Sequence, residues 1–300
     1  MRVTQSMLNT NMLRNLNNSM NGMNKYMDML ASGKRVNRPS DDPVAAVRTM
    51  YHKTSLNEIE QFQRNSIEAM NWLDMTDEAL GSVVTVIHRV RELIVDGSVD
   101  TKGADSKAAI AQELQQLRDQ IGNICNTSIG GRYIFSGTDT RTPPYDEAAG
   151  AFTNTNNAEI RLEMGQDIFL PVNIPGVDIF TDSTTGDGRQ SIFKVIDAAI
   201  TDLQNDESGS VITGHIASLE QNFDLFTATR SSLGARVNRI ELVQARLDDS
   251  HFSSTKLLSD AQDADIPKVI TELRNQSNVH QAALSAGMRI IQPTLLDFLR

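Results

Sequence analysis

A mainly α fold with one β-rich insertion follows from three features of this 300-residue sequence. The stretches 1–135 and 190–300 repeat apolar residues at spacings of three and four, with proline only near apparent helix ends, as long amphipathic helices do. Aromatic residues make up 5% of the chain and Trp72 is its single tryptophan, a composition suited to helices packed side by side rather than to a large compact core. Between the two stretches the period breaks at GGRYIFSGTDTRTPP, residues 130–144, where glycines and prolines surround the β-prone Tyr133, Ile134 and Phe135. The expected architecture is a long antiparallel helical bundle with paired N- and C-termini and a small β domain.

The first helix places Leu13, Leu16, Met20, Met23, Met27 and Leu30 along one seam. It also carries Asn9, Asn11, Asn15, Asn17, Asn18, Asn21 and Asn24. Each asparagine is about 0.6 kcal/mol worse than alanine inside a helix, and together they cost about 4 kcal/mol. An isolated helix is already marginal, so this segment is expected to order only when a partner covers its seam.

The punctuation NRPSDDP follows. Asp42 before Pro43 fits an N-cap with proline at the first helical position, and Asp41 adds negative charge at the helix start. The pair has no nearby histidine or further carboxylate, so capping outweighs a metal or acid–base role. A second helix is expected over about 43–98, with Met70, Leu73, Leu80, Val84, Ile87 and Ile94 in one stripe. After glycines 97 and 103, a third helix repeats Ile110, Leu114, Leu117, Ile121 and Ile124, and the short connection implies an antiparallel pair.

Alternation at Ile160, Leu162 and Met164, and again from Ile168 to Ile174, marks strands within a β-rich insertion. Helices resume near Ser191, and a long one spans about 211–262. DAQDADIP, residues 260–267, breaks it, with Asp265 as the next cap. The last helix carries Ile270, Leu273, Leu284, Met288, Ile291, Leu295 and Phe298 on one side, with only the first helix left to pair with.

A net charge of −10 without a basic stripe argues against nucleic acid or an anionic membrane surface as partner, and no apolar run approaches a membrane span. The start of the chain lacks the pattern of a cleaved secretory signal, which taken alone reads as cytoplasmic. The lone Cys125 reads as a small buried hydrophobe. No catalytic, cofactor or metal site is expected: the histidines at 52, 88, 215, 251 and 280 form no zinc motif, and no phosphate-binding glycine loop is present.

LNTNMLRNLNN, LASGKRVNRPSDDPVAA (30–46), HRVRELIVDGS (88–98), IAQELQQLRDQI, GGRYIFSGT, RSSLGARVNRIE and HQAALSAGMRIIQPTLLDFL together resemble the bacterial flagellin superfamily, over about 1–138 and 215–300. Pro-Ser-Asp-Asp-Pro and Tyr-Ile-Phe-Ser-Gly-Thr point within it to the hook-filament junction family, the hook-associated proteins 3.

The resemblance implies a coiled-coil rod folded back on itself. Segments 1–36 and 266–300 would be inner-tube helices, unfolded in the monomer; 37–138 with 189–265 the helical shaft; and 139–188 the outer β domain. It implies a non-enzymatic subunit that assembles as a ring with itself. Its further partners would be the neighbouring hook-associated junction protein, filament flagellin or capping subunits, and an export chaperone before secretion. Export without a cleaved signal peptide to the extracellular flagellum reverses the cytoplasmic reading. Arg89, Leu93 and Glu113 match flagellin positions used in subunit packing and in recognition by an innate immune receptor, and packing is the role carried over. Filament flagellin, and a helical surface adhesin or scaffold, are the alternatives.

Overall fold

The structure, a computed structural model, describes residues 5–99, 102–182 and 188–291. Among them the helices are α1 Gln5–Ser32, α2 Pro43–Gly97, α3 Ala104–Cys125, α4 Val177–Phe180, α5 Ile192–Gln204, α6 Gly209–Gln262 and α7 Ile266–Ile291. Between α3 and α4 lie β1 Ser128–Ile129, β2 Arg132–Tyr133, β3 Tyr145–Asp146, β4 Ala151–Phe152, β5 Arg161–Gly165 and β6 Ile168–Pro171. The chain divides into two compact units, Met1–Glu58 with Ser250–Arg300, and Ile59–Asp249. Their boundaries fall inside α2 and α6, away from the capped joints at which the sequence separates terminal helices from a shaft.

The unit Ile59–Asp249 is built on a continuous core. Leu73, Leu80, Ile87 and Ile94 of α2 face inward at intervals of seven, and Ile212, Leu219, Phe226, Leu233 and Ile240 of α6 do the same, a heptad period that keeps one face of each helix turned to the core. Ile110, Leu114 and Ile121 of α3 and Ile192, Val195, Ile196 and Ala199 of α5 complete it. Arg89 beside Glu113, and Gly97 beside Ile110, set α2 and α3 antiparallel. Cys125 is fully buried at the end of α3, and burial pushes its thiol pKa well up, which keeps it protonated and inert.

The β-rich segment consists of three separate antiparallel hairpins, β1–β2, β3–β4 and β5–β6, and its strands begin at Ser128, earlier than the sequence pattern places them. Gly130 and Gly131, with φ of 56° and 78°, form the two-residue turn of the first hairpin, a conformation that L side chains resist. The hairpins are too short to be stable alone, and aromatic side chains fasten them to helices. Phe180 of α4 is fully buried against Phe135, Phe152, Phe193 and Phe226, and Tyr145 stacks on Phe193. The Tyr-Ile-Phe motif is therefore an anchor: Ile134 and Phe135 are both fully buried.

The unit Met1–Glu58 with Ser250–Arg300 differs in kind. Its buried hydrophobic side chains, among the described residues, are Met29, Val36, Ala45, Ala46 and Val269. Gly33, with φ of 70°, takes the left-handed conformation that ends α1.

Candidate assembly interface

In the terminal unit α1 and α7 pair antiparallel, with Met12 beside Gly287 and both Ser19 and Gly22 beside Gln276. The less exposed residues of α1 include Met12, Leu16, Ser19, Met23 and Tyr26, with Gly22 and the buried Met29 flanking them; those of α7 include Val269, Leu273, Gln276, His280, Ala283 and Gly287. Both sets follow the alternating three and four spacing of a coiled-coil seam.

The expected α1 seam is therefore split by the structure. Leu16 and Met23 are half-buried and belong to the observed pairing seam. Leu13, Met20 and Met27 are 62%, 46% and 49% exposed, and with a spacing of seven they form a separate outward stripe; Leu30 at the helix end is exposed as well. On α7, Leu284 and Met288 are also exposed. Ile291 is the last residue of α7, and Leu295 and Phe298 lie outside the described residues. A two-helix pair cannot bury apolar residues on two faces of one helix, so α1 and α7 present methionine and leucine to solvent.

The two joints beside this pair are tied to each other. Lys34 and Asp263 form an isolated antiparallel bridge, Arg35 N donates to Gln262 O at 2.7 Å and Ala264 N to Gly33 O at 2.9 Å. Asp42 Oδ1 accepts from Ala45 N at 3.0 Å with Pro43 as the first residue of α2, and Asp265 Oδ1 accepts from Lys268 N at 3.2 Å at the start of α7. Asp41 has a different job from the one its position suggests: its Oδ2 accepts from Arg38 N at 2.9 Å, closing the turn before the cap. Val36 packs with Ala45 and Ala46 beneath the joint. Among the described residues no group of His, Cys, Asp and Glu side chains is placed to hold a metal ion.

In the other unit the expected lateral set separates. Arg89 Nε and Nη2 donate to Glu113 Oε1 at 2.9 and 2.6 Å, and Nη1 to Glu92 Oε2 at 3.1 Å, an exposed three-residue network that holds the guanidinium pKa above its usual range, Glu113 being the larger cause. Leu93 is 5% exposed and sits in the core, because α2 turns Val90, Leu93 and Ile94 inward together. Its side chain does not reach a lateral surface.

Sequence reasoning missed Met12, Ser19, Gly22, Gln276 and Gly287 as pairing residues. The available signal was a second set of positions on the same heptad period, most of them, Met12 apart, carrying small or polar side chains that a search for apolar residues passes over.

The N-terminal part of the chain, residues 3–140, matches the bacterial flagellin N-terminal helical region. The flagellar hook-associated protein 3 of Escherichia coli (strain K12) is 28% identical over 95% of this chain and 96% of its own length. A flagellin of Bacillus subtilis (strain 168) is 25% identical over 94% of each. The solved structure of flagellar hook-associated protein-3 from Legionella pneumophila superposes with a TM-score of 0.62 at 16% identity, over 70% of this chain and 98% of that one, a likeness of fold.

Proposed function

We propose, on the premise that this chain belongs to the flagellar hook-associated protein 3 family of the bacterial flagellin superfamily, that it is a structural subunit joining hook to filament at the hook-filament junction. The protein is not an enzyme, and it works outside the cell as part of the flagellum. The observation that carries the mechanism is the pair α1 and α7 with Leu13, Met20, Met27, Leu284 and Met288 exposed.

Folding of this pair is completed by assembly. Seven asparagines weaken α1, and the terminal unit buries few hydrophobic side chains of its own, so neighbouring subunits supply the missing cover. In this reading 1–36 and 266–300 line the inner tube, 37–138 with 189–265 form the shaft, and 139–188 face outward. The capped joints at Asp42–Pro43 and Asp265 separate the part that orders on assembly from the part that folds alone. Copies of this chain form the ring, with Arg89 and Glu113 at lateral contacts. The ring meets a neighbouring hook-associated protein on one side and flagellin on the other. An export chaperone shields the C-terminal stripe until the chain leaves the cell, without a cleaved signal peptide.

A deletion strain tests the function. Hooks without attached filaments, with flagellin released into the medium, are the expected phenotype. Loss of flagellin itself from both filament and medium would make this chain the filament subunit instead.

A further inference from the structure

From the packing of α1 on α7 we infer that two glycine notches select which face of α1 meets α7, holding the more apolar stripe outward for neighbouring subunits. The inference rests on the assembly reading above and adds to it the residues that set the orientation.

Helix α1 contains two overlapping seams. The observed one is Met12, Leu16, Ser19, Met23 and Tyr26; the other is Leu13, Leu16, Met20, Met23 and Met27. They share Leu16 and Met23 and differ elsewhere by one residue, so a turn of about 50° about the helix axis exchanges them. The second seam is the more apolar, and hydrophobic burial alone would place it against α7. The structure has the first.

Contacts specific to the observed face account for this. Gly287 of α7 receives the end of Met12: a Cβ there would lie 1.4 Å from Met12 Cε and 2.7 Å from its Sδ. Gly22 of α1 faces Gln276 less tightly, with a Cβ falling 3.0 Å from Gln276 Nε2 and 3.3 Å from its Cδ. Seated there, Gln276 Nε2 donates to Ser19 O at 3.3 Å and to Ser19 Oγ at 3.4 Å. These bonds are long, so they define position more than they add strength. The notches are reciprocal, one on each helix, and each takes a long flexible side chain from the other. Turning α1 by one seam would bring Met20 in place of Ser19 against Gln276, and would withdraw Met12 from Gly287. A polar or small residue at one seam position is a known way for helices to fix a single packing arrangement. The bridge between Lys34 and Asp263 ties the end of α1 to the start of α7, and the notches act farther along the pair.

Cysteine pairs read the orientation directly in hook–filament preparations from a deletion strain expressing the full chain. Tyr26 and Val269 line the same groove, so Tyr26→Cys with Val269→Cys reports the observed face, and Met27→Cys with Val269→Cys reports the turned one. Only products of single-chain size are counted. The first pair is expected to exceed the second by roughly tenfold, within the range of coupling between side chains in contact. Gly287→Ala, although it favours helix, is expected to bring the two products toward equality or to strip filaments from hooks. Adding Met12→Ala, which empties the notch, should restore the ratio or the attachment. If Gly287→Ala leaves both ratio and attachment unchanged, or if Met12→Ala fails to restore what was lost, the inference is wrong. Should the deletion strain itself keep its filaments, the assembly reading fails instead.

Discussion

The two units of this chain solve opposite problems with the same helical material. Ile59–Asp249 closes a core of its own, in which α2 and α6 each turn every seventh residue inward and six aromatic rings fasten the hairpins. The terminal unit leaves methionines and leucines in water and buries Met29, Val36, Ala45, Ala46 and Val269 among its described residues. Stability follows buried apolar area, and area left open is available to a partner. One unit thus closes on itself, and under the proposed function the other is finished by its neighbours.

The largest expected effect breaks the self-sufficient unit. Phe180→Ala removes a fully buried ring from the centre of the aromatic cluster and should cost about 3–5 kcal/mol, read as a lower denaturation midpoint of the folded monomer. A change on the terminal unit should leave that midpoint alone. Met20→Asp with Met27→Asp removes two side chains from the outward stripe, each contributing about 1.5–3 kcal/mol once covered, and adds charge to the contact. Filament attachment should be lost in cells while the monomer's denaturation curve stays that of the natural chain. Denaturation at a lower midpoint would mean that the stripe already serves the monomer.

Smaller effects sharpen the boundary between the units. Asp42→Ala with Pro43→Ala removes the cap bond to Ala45 N and the proline that begins α2, a loss of about 1 kcal/mol for the cap. It should weaken swimming through soft agar; unchanged motility would show that the joint matters less than its geometry suggests. In the core unit, Arg230 Nε and Nη2 each donate at 2.9 Å to Asp77, and those hydrogen bonds hold the Asp77 carboxyl below its usual range. A lowered folded pKa stabilises above the unfolded value of about 3.9 and is lost as pH falls through the folded one. Both side chains are more than a third exposed, so solvent screening limits the pair to about 0.5–1 kcal/mol. Asp77→Asn should therefore lower stability slightly at neutral pH, and the difference should vanish on acidification below the carboxylate range.

Much of this molecule was legible in its sequence because long helices advertise themselves. The apolar period, the proline at 43 and the aspartates at 42 and 265 place both ends of α2 and α6 and the start of α7 within a few residues of those observed. Strands β5 and β6 lie where the alternation placed them, but the first two hairpins were less legible, since two-residue strands carry almost no alternation and depend on Phe180 and its neighbours, which are distant in sequence. The candidate assembly surface was half legible. Leu16 and Met23 lie on both possible α1 seams, and periodicity cannot resolve a turn of about 50° about the helix axis. What resolves it is the fit of Met12 to Gly287 and of Gln276 to Gly22, contacts between residues more than two hundred and fifty positions apart. Leu93 shows the same lesson in reverse: its place in a packing motif said nothing of which way α2 turns it.

Hydrogen exchange on the full-length chain, monomeric and in attached flagella, tests the central claim most directly. The account predicts that amides of residues 5–32 and 266–291 exchange freely in the monomer and become protected on assembly, while the core amides of α2, α3, α5 and α6 within 59–249 are protected in both. Protection of the terminal helices in the monomer equal to that of the core would contradict it.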